Sequence, residues 1–198
     1  FVLLIGLLIA VARTSTSPVL YPVRLVATIY TDLFRGLPLL LVLLLVGLGI
    51  PGLRISWIPN SAVVLGTLAL VLTYSAYVAE VIRAGIEGVN PTQRQAARAL
   101  GLTQSQTLEH VVLPQAFRNV TPPLLNDLVS LQKDSGLISV LGAVDAIRAA
   151  GIQTAQSFNF TPYLVAGALF VLLTIPLTRF TDWLTRKQDA RQRAQGQW

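Results

Sequence analysis

The segment LPLLLVLLLVGLGIPGL, Leu37–Leu53, is the most informative part of this chain for its fold class. It contains no charged residue, and glycine and proline lie near its end. A helix needs about 20 consecutive, mostly apolar residues to cross the ~30 Å hydrocarbon core of a bilayer. We therefore expect this stretch to form a membrane-spanning helix.

The composition of the whole chain supports the same interpretation. Of its 198 residues, 53% are hydrophobic and 12% are charged, whereas soluble domains carry about 25% charged residues. Four further apolar segments are candidate spans: Phe1–Ala12, Ser61–Gly85, Leu124–Leu141 and Phe160–Leu184. The prediction is an all-α, multi-pass membrane protein with about five transmembrane helices in one domain, residues 1–198.

The first segment is expected to be a helix whose beginning lies outside this sequence. The chain contains no methionine and opens within the apolar run Phe1–Ala12. A signal peptide would also supply a short apolar run. A truncated helix is favoured because no basic residue precedes the run and no small-x-small cleavage site follows it.

The distribution of basic residues predicts the orientation. If the first helix crosses towards the cytoplasm, alternate connections lie on that side, and the opposite side carries only Arg54 and Arg148. Cytoplasmic loops are enriched in Lys and Arg, so we expect the N-terminus outside and the C-terminus in the cytoplasm. The basic residues assigned to the cytoplasmic side are Arg13, Arg24, Arg35, Arg83, Arg94, Arg98, Arg118, Arg186, Lys187, Arg191 and Arg193.

The net charge of +6 has two possible meanings, a nucleic-acid partner or a membrane surface. The basic residues form no single patch with interleaved aromatic side chains, so nucleic acid is not expected as a partner. The polar tail Arg186–Trp198 is expected to be solvated. Anionic lipid headgroups would attract it weakly.

A polar connection, residues 86–119, interrupts the apolar segments and is expected to form two short helices. Asn90 can cap the first helix, Pro91 fits its first position and Gln93 lies where a capping-box partner belongs. Gly101 suits a left-handed terminator, and Pro114 is expected to end the second helix. Both helices are too short and too polar to span a bilayer, which favours a docking element for a partner protein.

The segment QAARALGLTQSQTLEHVVLP, Gln95–Pro114, resembles the EAA motif of binding-protein-dependent ABC importers. Gln95 stands where that family usually has Glu. In the family the motif forms coupling helices that insert into a groove on the ATPase subunit. The resemblance therefore implies an ATPase-coupling role for Gln95, Ala96, Ala97, Gly101, Leu113 and Pro114.

Three flanking segments narrow the resemblance to permeases for polar amino acids of the histidine, glutamine and arginine type. It extends from Tyr30 to Leu184, and Gly136 replaces a serine of the family pattern. The segments are FRGLPLL (Phe34–Leu40), AYVAEVIRAGI (Ala76–Ile86) and LPQAFRNVTPPLLNDLVSLQKDSGL (Leu113–Leu137).

The resemblance implies a type I ABC importer permease in the inner or plasma membrane of a prokaryote. Its partners would be two ATPase subunits, an extracytoplasmic substrate-binding protein and a second permease subunit, either a copy or a paralogue. ATP and Mg²⁺ would bind the ATPase, and this chain would bind no cofactor. The cargo would be a polar amino acid, moved by alternating access.

Two groups of polar residues lie within the apolar segments. Glu80 and Arg83 have i,i+3 spacing near the inner end of the third segment, where they form either a surface pair or an anchor for the loop 86–119. Near the middle of the fourth segment, helical spacing predicts a polar stripe along a translocation pathway. The stripe contains Asn126, Asp127, Ser130, Lys133 and Asp134. Alternatively, Lys133 forms a structural pair with Asp134 or another helix.

The sequence offers no catalytic apparatus. It has no phosphate-binding G-x-x-x-x-G-K-[ST] loop, no cysteine, and a single histidine, His110, so neither ATP hydrolysis nor metal chemistry is expected. An ion-gradient-driven transporter or channel is the alternative function. Paired broken helices and more intramembrane acids would be expected of it.

Overall fold

A computed structural model describes residues 1–15, 17–54 and 58–194. Within these residues the secondary structure is helical, without strands, which confirms the all-α prediction. Short 3₁₀ segments cover Pro18–Leu20 and Ser135–Leu141, and π-helical segments cover Leu45–Gly49 and Leu108–Val112. The α-helices are α1 (Val2–Thr14), α2 (Tyr21–Gly36), α3 (Leu39–Leu44), α4 (Ile50–Gly52), α5 (Ala62–Glu87), α6 (Pro91–Ala99), α7 (Gln104–Thr107), α8 (Leu113–Asp134), α9 (Ala146–Ser157) and α10 (Thr161–Ala194).

Several of these helices have the length and composition of membrane spans. Ala62–Glu87 and Thr161–Gln188 are each long and apolar enough to cross a bilayer. Two bent pairs pass the same test together: Pro18–Gly36 with Leu39–Gly52, bent by 106°, and Gln104–Leu141 with Ala146–Ser157, bent by 47°. The apolar α1 is shorter, at 13 residues. All five predicted apolar segments thus fall in helical regions of a multi-pass fold.

Helix α5 is the centre of the molecule. Gly85 lets α5 approach α8 closely, since a Cβ there would lie 2.1 Å from Val120 Cγ1. Gly66, near the other end of α5, allows a similar approach to Ile138, which follows α8. The order of these contacts makes α5 and α8 antiparallel. Helix α10 is antiparallel to α8, because Thr174 bonds Gln132 while Phe170 lies beside Gly136. The C-terminal end of α10 therefore lies at the same end of the molecule as the loop 86–119.

Helix α1 lies along α5 in the same direction. Its first residues share a cavity with Leu70, Gly6 approaches Val78, and Arg13 reaches Glu80. A Cβ on Gly6 would lie 2.5 Å from Val78 Cγ1, so the two backbones approach closely.

Helix α2 was not predicted, because the charged residues of the segment 13–36 favoured a cytoplasmic connection. The segment is in fact amphipathic, with charged residues on one side of the helix. Tyr30 fixes the helix to α5 by donating to Leu72 O at 2.7 Å. The helix ends where Leu37 turns extended, with φ −90° and ψ 137°. Pro38 causes this turn, since a residue before proline is driven out of the helical region.

Two predicted helix boundaries were wrong, both at prolines. Leu37–Leu53 is not one regular helix, because the π-helical segment Leu45–Gly49 precedes Pro51. Pro114 does not end the second loop helix: the chain passes through the π-helical segment Leu108–Val112 into α8. A widened turn accommodates a proline, which lacks an N–H and crowds the carbonyl four residues earlier. The fourth predicted span accordingly begins inside a longer helix.

Candidate functional site

The loop 86–119 contains the two short helices that the sequence predicted, α6 and α7. Asn90 caps α6 by accepting from Thr92 N at 2.9 Å, and Pro91 occupies its first turn, as expected. The capping box lies elsewhere than predicted: Thr103 and Gln106 form it at the start of α7. Gln93 does not fill that role, since its side chain accepts instead from Gln115.

Gly101 makes the turn between α6 and α7 in the left-handed conformation, with φ +88°. A Cβ added at this glycine would meet no atom within 4 Å, so backbone conformation, not space, requires glycine here. Arg98 closes the turn by donating from Nη1 to Leu102 O at 2.8 Å.

The two short helices are fixed to the ends of α5 and α8. Val89, Val112 and Ala116 form a small buried cluster with Ile86 packed against it. Arg94 donates to Ile86 O, and Asn119 Nδ2 donates to Gly85 O at 3.5 Å. These contacts join the loop to both helices.

The predicted ATPase-coupling residues do not all face outwards. Gln95 and Ala96 are exposed on α6, whereas Ala97 is buried, with 6% of its surface exposed. Leu113 is 46% exposed and Pro114 is exposed at the start of α8. Leu100 is missing from that set although it is the most exposed large apolar side chain of the loop, at 82%. Its position beside Gly101, at the turn between the two short helices, could have indicated in the sequence that it is exposed.

Glu80 is the centre of an ion-pair cluster at the loop end of α5. It pairs with Arg83 at 2.6 Å, with the predicted i,i+3 geometry, and with Arg13 of α1 at 2.7 Å. Arg35 of α2 lies 3.5 Å away, and Arg83 also pairs with Glu87. The cluster therefore joins α1, α2 and α5 beside the loop, and the sequence could not show the contributions of Arg13 and Arg35.

The predicted polar stripe on α8 divides into two faces. Asn126 and Lys133 are exposed, and Ser130 between them is partly buried. Asp127 and Asp134 turn towards α5 instead, where Tyr74 donates its hydroxyl to Asp134 Oδ2 at 2.7 Å. The suggested Lys133–Asp134 pair does not form, and within the described ranges no ion pair to Lys133 occurs.

Each face of the stripe borders a cavity. Asp127 lies against a mainly apolar cavity of about 750 Å³ between α1, α5 and α8, and its buried Oδ2 has no hydrogen-bond partner in the described part of the chain. Lys133 borders a second cavity of about 380 Å³, lined also by Phe170 and Thr174 of α10. Tyr74 was missed in the sequence because it lies 60 residues from Asp134.

The chain thus combines a multi-pass helical core with a capped, exposed pair of short helices fixed to α5 and α8, as expected of a membrane permease. The chain belongs to the family described as binding-protein-dependent transport system inner membrane component, whose model matches residues 3–191. It is therefore a transport component of a membrane and not an enzyme, as predicted. Family membership also favours this interpretation over an ion-gradient-driven transporter.

Relatives with known descriptions are similar over almost the full chain. The arginine transport system permease protein ArtQ of Bacillus subtilis is 36% identical, with 93% of this chain and 83% of the relative covered. A putative glutamine transport system permease protein GlnP of Rickettsia conorii is 37% identical, with 94% and 84% covered.

Solved structures show the same fold. A crystal structure of an amino acid ABC transporter with histidines matches with a TM-score of 0.85 and 37% identity, covering 94% of this chain and 85% of the other. An inward-facing MetNI methionine ABC transporter matches with a TM-score of 0.71 at 20% identity, over 95% and 86% of the two chains. The second likeness concerns the fold alone.

Proposed function

We propose that this chain is a permease subunit that moves a polar amino acid across the membrane, driven by a separate ATPase that docks on α6 and α7. The main observation that supports this proposal is that these exposed helices are fixed to both α5 and α8. Two ATPase subunits would bind at this end, and a substrate-binding protein would deliver cargo at the other. A second permease subunit, a copy or a paralogue, would complete the pathway.

The proposed mechanism is alternating access. A partner can shift a conformational equilibrium only as far as it binds one state more tightly than the other. ATP and Mg²⁺ would bind the ATPase, and closure of its subunits would favour one position of α6 and α7. The buried cluster Val89–Val112–Ala116 and the ion pairs of Glu80 and Arg83 would then carry the movement to the spans.

The polar residues of α8 suit a zwitterionic cargo. Lys133 offers a cation for the carboxylate of the cargo, since it is exposed and has no paired acid among the described residues. Asp127 and Asp134 lie on the neighbouring face, where Asp134 accepts from Tyr74 and Asp127 borders a separate cavity. Asn126 and Ser130 add neutral polar groups. The described relatives include arginine and glutamine permeases, which supports a polar amino acid as cargo.

The coupling proposal is tested by Gly101→Val in the full complex with ATPase and binding protein, reconstituted in vesicles. A β-branched residue is strongly disfavoured at φ +88°, so the turn between α6 and α7 should distort. We expect uptake of labelled amino acid to fall at least about tenfold, while the complex still inserts and hydrolyses ATP.

In the same assay Lys133→Leu should impair uptake, and normal uptake would contradict the pathway assignment.

Gly101→Asn is the matched control, because asparagine tolerates the left-handed region. It should retain most uptake. If Gly101→Val transports normally, or if both variants fail alike, the turn does not couple ATP hydrolysis to transport in the proposed way.

A further inference from the structure

The C-terminal part of α10 carries a surface that the proposed transport mechanism does not use. We name it the basic-aromatic face. It consists of Arg179, Phe180, Trp183, Arg186 and Lys187, all of which are exposed. Phe180 and Trp183 each keep 54% of their surface accessible.

The basic-aromatic face points away from the rest of the protein. Thr181, 2% exposed, marks the packed side of α10, as does Thr174, which donates to Gln132 of α8 at 2.9 Å. Successive residues of an α-helix are about 100° apart. Arg179, Trp183 and Arg186 therefore lie about 140–200° around the helix from Thr181.

The depth of this face places it at a membrane boundary. At 1.5 Å per residue, Arg179 lies about 27 Å along α10 from Thr161, Trp183 about 33 Å and Lys187 about 39 Å. The hydrocarbon core is about 30 Å thick. With Thr161 taken as the outer edge of the core, Phe180 and Trp183 lie about at its inner edge and the two basic residues beyond Trp183 lie in the headgroup layer. This is the end of the molecule that carries α6 and α7.

Three side chains of the face, Phe180, Trp183 and Lys187, contact one another. Phe180 and Trp183 stack with ring centroids 6.2 Å apart, and Lys187 Nζ lies 4.7 Å from the Trp183 centroid. In the part of the chain that the structure describes, no carboxylate lies within ion-pair distance of Arg179, Arg186 or Lys187, although Asp182 is exposed nearby. The cations are therefore available to an external anion.

A similar aromatic-cation pair lies near the start of α2, at the same end of the molecule. Arg24 lies over the Tyr21 ring at 5.3 Å from its centroid, and it donates to Ser15 O at 3.3 Å. Tyr and Trp are enriched at the lipid-water interface, so this second pair supports the boundary assigned from α10.

We propose that the basic-aromatic face of α10 is a binding site for the headgroups of anionic phospholipids. The rings of Phe180 and Trp183 lie at the edge of the acyl chains, while Arg186 and Lys187 contact the phosphate groups. Arg179 extends its guanidinium towards the same layer from within the hydrocarbon boundary. A lipid bound here holds the cytoplasmic end of α10 at a fixed depth.

A second copy of this chain fits the face less well. A two-fold contact would place the same basic residues of both copies against each other, and like charges repel in an interface. The residues from 179 to 193 include five basic and two acidic side chains, so the segment as a whole favours an anionic partner. They are Arg179, Arg186, Lys187, Arg191 and Arg193, against Asp182 and Asp189.

Fluorescence quenching of Trp183 tests the proposal. The full chain is made with Trp57→Phe and Trp198→Phe, so that Trp183 is the one remaining tryptophan. It is reconstituted in vesicles of phosphatidylglycerol and phosphatidylcholine in which one or the other lipid carries brominated chains. We expect brominated phosphatidylglycerol to quench Trp183 more strongly at equal mole fraction, with an association at least about fivefold tighter.

The variant Arg186→Gln/Lys187→Gln should lose most of this preference, whereas Arg186→Lys/Lys187→Arg should keep it. Arg54→Gln/Arg148→Gln removes the same charge at the opposite end and serves as the matched control. Raised salt should weaken the preference by screening. Equal quenching by both lipids, equal losses in the two charge-removing variants, or a Trp183 that neither lipid quenches because protein covers it would each overturn the proposal.

Discussion

At the scale of single residues, Glu80 is a charged side chain that joins distant parts of the molecule. It accepts from Arg13 and Arg83 and lies 3.5 Å from Arg35, so one carboxylate joins three helices. The Arg13 side chain is only 10% exposed, and the Glu80 side chain 18%. Removing one partner of a buried pair leaves the other charge uncompensated, which destabilises far more than breaking an exposed pair.

Glu80→Gln should therefore destabilise the folded chain by about 2–3 kcal/mol, measured as loss of thermal stability in detergent. Glu87→Gln is the matched control on the same helix, since Glu87 is 57% exposed and pairs with the same Arg83. We expect the control to cost less than about 1 kcal/mol. Equal stability of the two variants would show that the three-helix cluster does not contribute as described.

At the scale of helices, the crossing of α5 and α8 depends on glycine. A Cβ on Gly85 would lie 2.1 Å from Val120 Cγ1 and 3.3 Å from the backbone oxygen of Ala116. The crossing lies directly before the loop 86–119, so its geometry determines where α6 and α7 begin.

Gly85→Ala should lower stability by about 1–3 kcal/mol, because the added methyl group separates tightly packed helices. Gly167→Ala provides the contrast: no atom lies within 4 Å of the new Cβ, and alanine favours a helix interior by up to about 1 kcal/mol over glycine. Unfolding titrations in mixed micelles measure both changes. A stabilised Gly85→Ala variant would contradict the close crossing.

Sequence patterns predicted helices well where the pattern was local. Asn90, Pro91 and Gly101 were placed correctly because caps and left-handed turns depend on a few neighbouring residues. Helix α2 was missed because its charges interrupt the apolar pattern, and its stability comes from contacts with α5. The continuation through Pro114 was missed because a π-helical turn is not encoded by proline alone.

At the scale of the whole molecule, the two ends of the helix bundle are formed by different elements. The loop 86–119 and the C-terminal part of α10 lie together at one end, and the turn before α9 lies at the other. The proposed orientation places the first end in the cytoplasm, with the N-terminus outside.

Cysteine labelling tests this orientation without background, because the chain contains no cysteine. Leu100→Cys and Val144→Cys place single thiols at exposed positions, 82% and 77% accessible, at opposite ends. In right-side-out vesicles an impermeant maleimide should modify Val144→Cys and leave Leu100→Cys unmodified until the membrane is opened. The reverse pattern would invert the proposed topology.

The class of fold, the positions of the apolar segments, the capped loop and the family resemblance could all be predicted from the order of the residues. These follow from hydropathy, local backbone preferences and motif spacing, which need no knowledge of distant contacts. Helix packing, which the sequence did not reveal, brings Arg13 and Arg35 to Glu80, pairs Asp134 with Tyr74 and not with Lys133, and turns a cationic surface of α10 outwards. Such pairings join residues far apart in the chain, and helix packing selects them from many that the sequence allows equally well.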